Sequence, residues 1–67
     1  MKVMDVVNIM DPWQDIIIRR EEDTQLSEPL FERNALNIGA IPTDECMNLT
    51  ISGIDACWDT IVLYTVK

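Results

Sequence analysis

From Trp58 to Val66 the chain carries its strongest β signal, and that segment is apolar on both sides. In an extended strand Trp58, Thr60, Val62, Tyr64 and Val66 point one way, while Asp59, Ile61, Leu63, Thr65 and Lys67 point the other. Such a strand is either central and enclosed, or it leaves a patch around Trp58, Val62 and Tyr64 for a partner. Length sharpens the choice. A chain of 67 residues and 7.7 kDa folds from roughly 11,000 Å² of accessible surface to roughly 4,300 Å², burying about 60%. One short helix covers only one face of a sheet, so self-association or a partner is a natural supplement to so small a core.

The rest of the chain supplies the remaining elements. Val3, Val6, Val7 and Met10 recur at i, i+3, i+4 and i+7, which predicts a helix over about residues 2 to 10 with one apolar face. Asp11-Pro12 stops it, because the residue before proline is driven out of the helical region, and Trp13 is placed to fold back over the helix end. Asp15 to Arg20 contains three consecutive isoleucines and reads as a strand. Glu21-Glu22-Asp23-Thr24 is a polar turn. Pro29 to Arg33 is the returning strand of a hairpin.

Asn34 to Pro42 is a loop whose Leu36, Ile38 and Ile41 are expected to tuck into the core. Thr43 is placed to cap a single helical turn, with Asp44 and Glu45 in its favourable first turn. Leu49 to Ile54 is a further strand, Gly53 to Ala56 the turn region, and Trp58 to Val66 the strand that closes the second hairpin. The expected fold is a single α+β domain over residues 1–67. An N-terminal helix packs on a small, mainly antiparallel sheet of about four strands in two hairpins, with one extra helical turn.

Composition removes several function classes. With 48% hydrophobic residues the chain exceeds what a disordered acidic tail carries, and no apolar run reaches the length of a bilayer span. No histidine is present, so the commonest general base and metal ligand is missing, and neither Cys46 nor Cys57 has an imidazole partner. The reading is therefore of a non-enzyme. Two soft cysteine ligands do not complete a structural zinc site, Glu21-Glu22-Asp23 lacks the spacing of a calcium loop, and two glycines form no phosphate cradle. No cofactor is expected. Without a secretory signal in the opening residues, the expected setting is the cytoplasm, with both cysteines reduced.

Five basic residues against twelve acidic ones give a formal charge of −7, which repels phosphate and argues against direct nucleic-acid binding. The reverse electrostatics suits an acidic surface steered to a basic site on another protein. Asp11, Asp15, Asp44, Glu45, Asp55 and Asp59, together with Asp5, are the acids available for it, with Trp58 and Tyr64 as aromatic anchors. Glu21, Glu22, Asp23, Glu28 and Glu32 share the first hairpin with Arg19, Arg20 and Arg33, so charge there is largely balanced. Two other readings stand beside this one. Arg19 and Arg20, beside Trp13, Trp58 or Tyr64, would clamp and stack a nucleotide or other small molecule in a homo-oligomer, and the chain would alternatively be a structural accessory protein.

The order of Lys2-Val3-Met4-Asp5-Val6-Val7-Asn8-Ile9-Met10-Asp11-Pro12-Trp13, Asp15-Ile16-Ile17-Ile18, Leu30-Phe31-Glu32-Arg33-Asn34-Ala35, Ile41-Pro42 and Ile61-Val62-Leu63 resembles short acidic proteins of phages and mobile elements from Firmicutes and gut bacteria. Those proteins share a helix ending in aspartate, a strand, a hairpin return, an Ile-Pro turn and a closing hairpin. Arg33 stands where that group commonly has glycine, and the group offers no role for Cys46 or Cys57. The resemblance implies a phage-associated setting in a host cytoplasm and no catalytic residues. Because some such proteins inhibit host defence, it also raises inhibition of a host defence or nucleic-acid enzyme.

Overall fold

A computed structural model of the chain describes residues 1–22 and 27–66. Its elements run α1 (Val3–Val7), β1 (Asp15–Arg20), β2 (Phe31–Arg33), α2 (Asp44–Met47), β3 (Thr50–Cys57) and β4 (Thr60–Val66). The fold is α+β, with two short helices and one four-stranded sheet in the order β2-β1-β4-β3. The polar turn expected at Glu21 to Thr24 lies partly outside the described residues, as does Lys67.

Both expected hairpin pairings form, β1 with β2 and β3 with β4, each antiparallel. The sheet is nonetheless mixed, because the two hairpins join through a parallel pairing of β1 with β4 that sets Asp15 opposite Thr60, Ile17 opposite Val62 and Arg19 opposite Tyr64. The physical reason is the distribution of apolar residues. The two richest strands, carrying Ile16-Ile17-Ile18 and Ile61-Val62-Leu63, take the centre, where both edges are paired. Short β2 and polar β3 are left at the edges.

Ile16, Ile18 and Leu63 share one sheet face and form a single buried cluster with Val3 and Val7 of α1 and Cys46 of α2. On the other face Ile17, Val62, Tyr64 and Val66 are only partly buried. The accessible surface of 4755 Å² exceeds the roughly 4,300 Å² expected for this mass, and exposed Trp13, Leu36, Ile41 and Trp58 contribute to it beside the less covered sheet face.

Helix α1 is shorter than the apolar spacing predicts. After Val7 the backbone tightens into three-residue turns, Ile9 N–H to Val6 O and Met10 N–H to Val7 O, both 3.2 Å, and no glycine or basic side chain closes its last turn. The expected stripe still faces inward, with Val3 and Val7 buried and Val6 and Met10 packed against the cluster. In α2 the Thr43 hydroxyl accepts from Cys46 N–H at 3.3 Å, the cap that the sequence places there.

Three expectations fail for identifiable reasons. Leu36, Ile38 and Ile41 do not tuck inward, and Leu36 is 95% exposed. The loop is shaped instead by asparagines: Asn34 Oδ1 accepts from Leu36 N–H (2.9 Å), Asn37 Oδ1 accepts from Asn34 N–H (2.7 Å), and Asn37 Nδ2 donates to Glu32 O (2.9 Å). Gly39, at φ +83°, then turns the chain so that its N–H reaches Pro12 O at 3.0 Å. Trp13 does not cover the helix end but stands 65% exposed.

Third, the turn expected at Gly53 to Ala56 is strand. Gly53 lies opposite Tyr64 at an irregularity in the register, and β3 continues to Cys57, so the reversal falls on Trp58-Asp59. Trp58 is therefore a turn residue and does not share the strand face of Thr60.

Arg33 is not a surface counter-charge. It is 3% exposed, and its guanidinium donates to Gln14 O (3.0 Å), Asp11 O (3.1 Å) and Ala40 O (3.2 Å), with Met10 Sδ at 3.6 Å. One side chain thus ties the end of the α1 segment, the entry to β1 and the 34–42 loop together.

Candidate functional site

The parallel register of β1 and β4 decides which candidate residues meet. Trp13 lies two residues before Asp15, Trp58 two before Thr60, and Asp15 pairs with Thr60. Both tryptophans therefore fall at the same end of the sheet. They line one groove of about 480 Å³ with Gln14, Asp15, Asp59 and Ile61 among its walls. The Gln14 side chain fastens that end: its Nε2 donates to Asp15 O at 3.0 Å and also to Asp59 O, linking the start of β1 to the β3–β4 turn.

Trp58 is the outlier of the molecule. Its φ of +56° is the one positive value at a non-glycine position among the described residues, in a two-residue hairpin loop that favours glycine at its first central position. A bulky residue held there costs about 1–3 kcal/mol of backbone strain. Packing returns nothing, since Trp58 is 97% exposed.

The acids divide between the two ends of the sheet. Asp15 and Asp59 line the groove, and exposed Asp11 precedes them, its carbonyl engaged by Gln14 N–H and Arg33. Asp55 lies on β3, and its Oδ1 accepts from Ala56 N–H at 2.8 Å, shielding part of that edge. Asp44 and Glu45 are exposed in the first turn of α2, and Glu45 lines a second cavity of about 370 Å³ with Arg20, Leu30 and Cys46. Asp15 opens β1 and Arg20 closes it, roughly 16 Å apart at the rise of a strand. Asp5 belongs to neither group; its Oδ2 accepts from Lys2 N–H at 2.8 Å and caps α1.

Arg19 and Arg20 are successive strand residues and project from opposite faces. Arg19 shares its face with Tyr64 across the parallel pairing and donates from Nη1 to Ser27 O at 2.7 Å. Arg20 lines the 370 Å³ cavity with Glu45 and a smaller one with Glu22. Both arginines lie at the far end of β1 from Trp13 and Trp58. Tyr64 is partly buried beside Gly53, away from the groove.

Sequence reasoning passed over Gln14 and considered Trp13, as a site residue, only as a stacking partner for Arg19 and Arg20. The signal available was the matched placement of a tryptophan two residues ahead of each central strand, informative only once those strands are known to be parallel.

The cysteines differ in burial. Burial pushes the Cys46 thiol above its ordinary range, whereas Cys57 is exposed beside Trp58. A small alkylating reagent at mildly alkaline pH is expected to modify Cys57 and spare Cys46 in the folded chain, read by mass spectrometry of peptides; equal rates would contradict the burial. Because folding favours the protonated Cys46, its contribution to stability is complete below the ordinary thiol pKa and is lost as pH rises through the raised value.

Among the described residues, no cluster of three or more potential metal ligands occurs and no helix is long and apolar enough to cross a membrane. The chain matches no family model, no curated protein and no solved structure.

Proposed function

We propose that this chain is a non-enzymatic binding protein that docks on a host protein with a basic surface. The contact end is the one formed by Trp13, Asp15, Trp58 and Asp59. In the phage or mobile-element setting that the sequence resemblance implies, occupying such a site would inhibit a host defence or nucleic-acid enzyme.

The observation that carries this reading is Trp58. A tryptophan at positive φ with almost its whole side chain in solvent gives up stability without burial in return, and burial against a partner supplies that return. Asp15 and Asp59 at its side make the contact complementary to a basic surface. The acids involved are those at this end; Asp44 and Glu45 lie on α2, where Glu45 shares a cavity with Arg20, and contribute little to the same field.

The test is capture from a host lysate by the tagged wild-type chain, followed by affinity measurements on the isolated partner. Trp58→Gly is expected to weaken that complex by at least about 30-fold, a loss of about 2 kcal/mol or more, while leaving the chain as stable or up to about 1 kcal/mol more stable. Paired Asp15→Lys and Asp59→Lys changes are expected to slow association, most at low salt. Capture that ignores both sets of changes and is independent of salt would reject the reading. Recovery of a bound nucleotide in place of a protein would favour sequestration at Arg19 or Arg20.

A further inference from the structure

We infer that the groove between Trp13 and Trp58 is a cage for one basic side chain, an arginine or a lysine presented by the partner. That the cation is carried by a protein follows from the docking reading above; that the groove selects a cation follows from its walls alone.

Those walls combine two indoles with two carboxylates and no basic group. Indole faces are the strongest aromatic partners for a guanidinium or ammonium group, through the negative face of the ring quadrupole. Asp15 and Asp59 add full negative charges at the same place, and Asp15 is itself partly buried. An anion meets repulsion from both. A neutral apolar side chain would strip water from the carboxylates without replacing its hydrogen bonds, whereas a cation supplies both charge and donors.

Gln14 narrows the choice further. Both of its amide hydrogens are committed, to Asp15 O and Asp59 O, so it offers no donor to an incoming acceptor. Beyond the indole N–H groups and the Thr60 hydroxyl, the lining side chains present acceptors to an occupant. The groove is open to solvent, and its roughly 480 Å³ of space accommodates one long side chain laid against the indoles. The Gln14 link between β1 and the turn fixes the backbone positions from which the two indoles reach, and the exposed side chains order around the cation on binding.

The chain contains two tryptophans and both line this groove, so indole signals report on it alone. The full chain is titrated with N-acetylated, C-amidated Gly-Arg-Gly and Gly-Lys-Gly, and with the uncharged citrulline and norleucine counterparts. Readouts are the two indole N–H resonances and tryptophan fluorescence. The basic peptides are expected to shift both indole resonances and to bind at least about tenfold more tightly than the neutral ones, a factor set by about 1.4 kcal/mol, with added salt weakening only the basic pair. Asp15→Asn with Asp59→Asn is expected to remove most of that tenfold preference. Equal binding of arginine and citrulline peptides, or no response of either indole to a basic peptide, would overturn the cage. The arginine against citrulline comparison uses the wild-type chain, so it stays decisive if the double variant does not fold. Basic peptides that bind while no host protein is captured would sink the docking reading alone; a host protein captured through Asp15 and Asp59 with silent indoles would sink the cage alone.

Discussion

Replacing Arg33 by methionine is expected to cost about 3 kcal/mol or more, enough to leave much of the chain unfolded at room temperature. A domain of 67 residues holds only about 3–10 kcal/mol in total. Replacing a buried charge pair by apolar residues can be harmless, because both partners leave together. Arg33 is a different case. The partners of its guanidinium are the carbonyls of Asp11, Gln14 and Ala40, and these remain when the side chain is gone. Asp11 O keeps its bond from Gln14 N–H, but Gln14 O and Ala40 O lose the Arg33 donor, and each carbonyl left unmatched costs about 1–3 kcal/mol. Arg33→Lys is expected to recover only part of the loss, since a single ammonium cannot reproduce a planar fork that reaches three separate backbone segments. Urea titrations followed by circular dichroism measure both changes. Losses below about 1 kcal/mol for both variants would show that the three segments hold together without Arg33.

Arg33 also marks the limit of what the sequence discloses. An arginine next to Glu32 in a chain rich in acids reads as a surface counter-charge, and nothing local distinguishes that from a buried anchor. The difference arises from where Met10, Asp11, Gln14 and Ala40 converge in space. Local signals were reliable where the chemistry is local: Thr43 caps α2, the Val3 and Val7 stripe turns inward, and Ile16 to Ile18 form a strand. The loop at 34–42 misled because hydrophobicity competes there with Asn34 and Asn37, whose side chains satisfy the backbone and leave Leu36 outside.

The parallel centre of the sheet has a non-local origin as well. Hairpins announce themselves through short connections, whereas the β1–β4 pairing joins residues some 45 positions apart and leaves no turn to read. That pairing assembles the candidate site. An antiparallel centre would put Trp13 and Trp58 at opposite ends of the sheet; the parallel one brings them, with Asp15 and Asp59, to one groove. The acids were legible as a charge surplus, but their division between the two ends was not, because charge counting carries no geometry.

The two faces of β4 are expected to respond unequally to truncation. Leu63, 0% exposed in the middle of the buried cluster, is expected to cost about 3 kcal/mol or more on replacement by alanine, through lost transfer energy and the cavity left behind. Val62 is its chain neighbour on the opposite face and is only partly buried, so Val62→Ala is expected to cost about 1 kcal/mol or less. Valine is the stronger strand-former of the two, so β propensity alone would make Val62→Ala the costlier change, and a larger loss at Leu63 reports its cover. Denaturation at low and high protein concentration measures it. A Val62→Ala cost that approaches that of Leu63→Ala only at high concentration would mean that the half-open face is covered by a second copy of the chain, and the face would then be closed to any other partner. An unequal pair at every concentration leaves that face open and keeps the stability of the monomer on the Leu63 side. The tryptophan groove would then depend on that one core for its geometry, through Arg33 beneath the entry to β1 and Gln14 across the top of it.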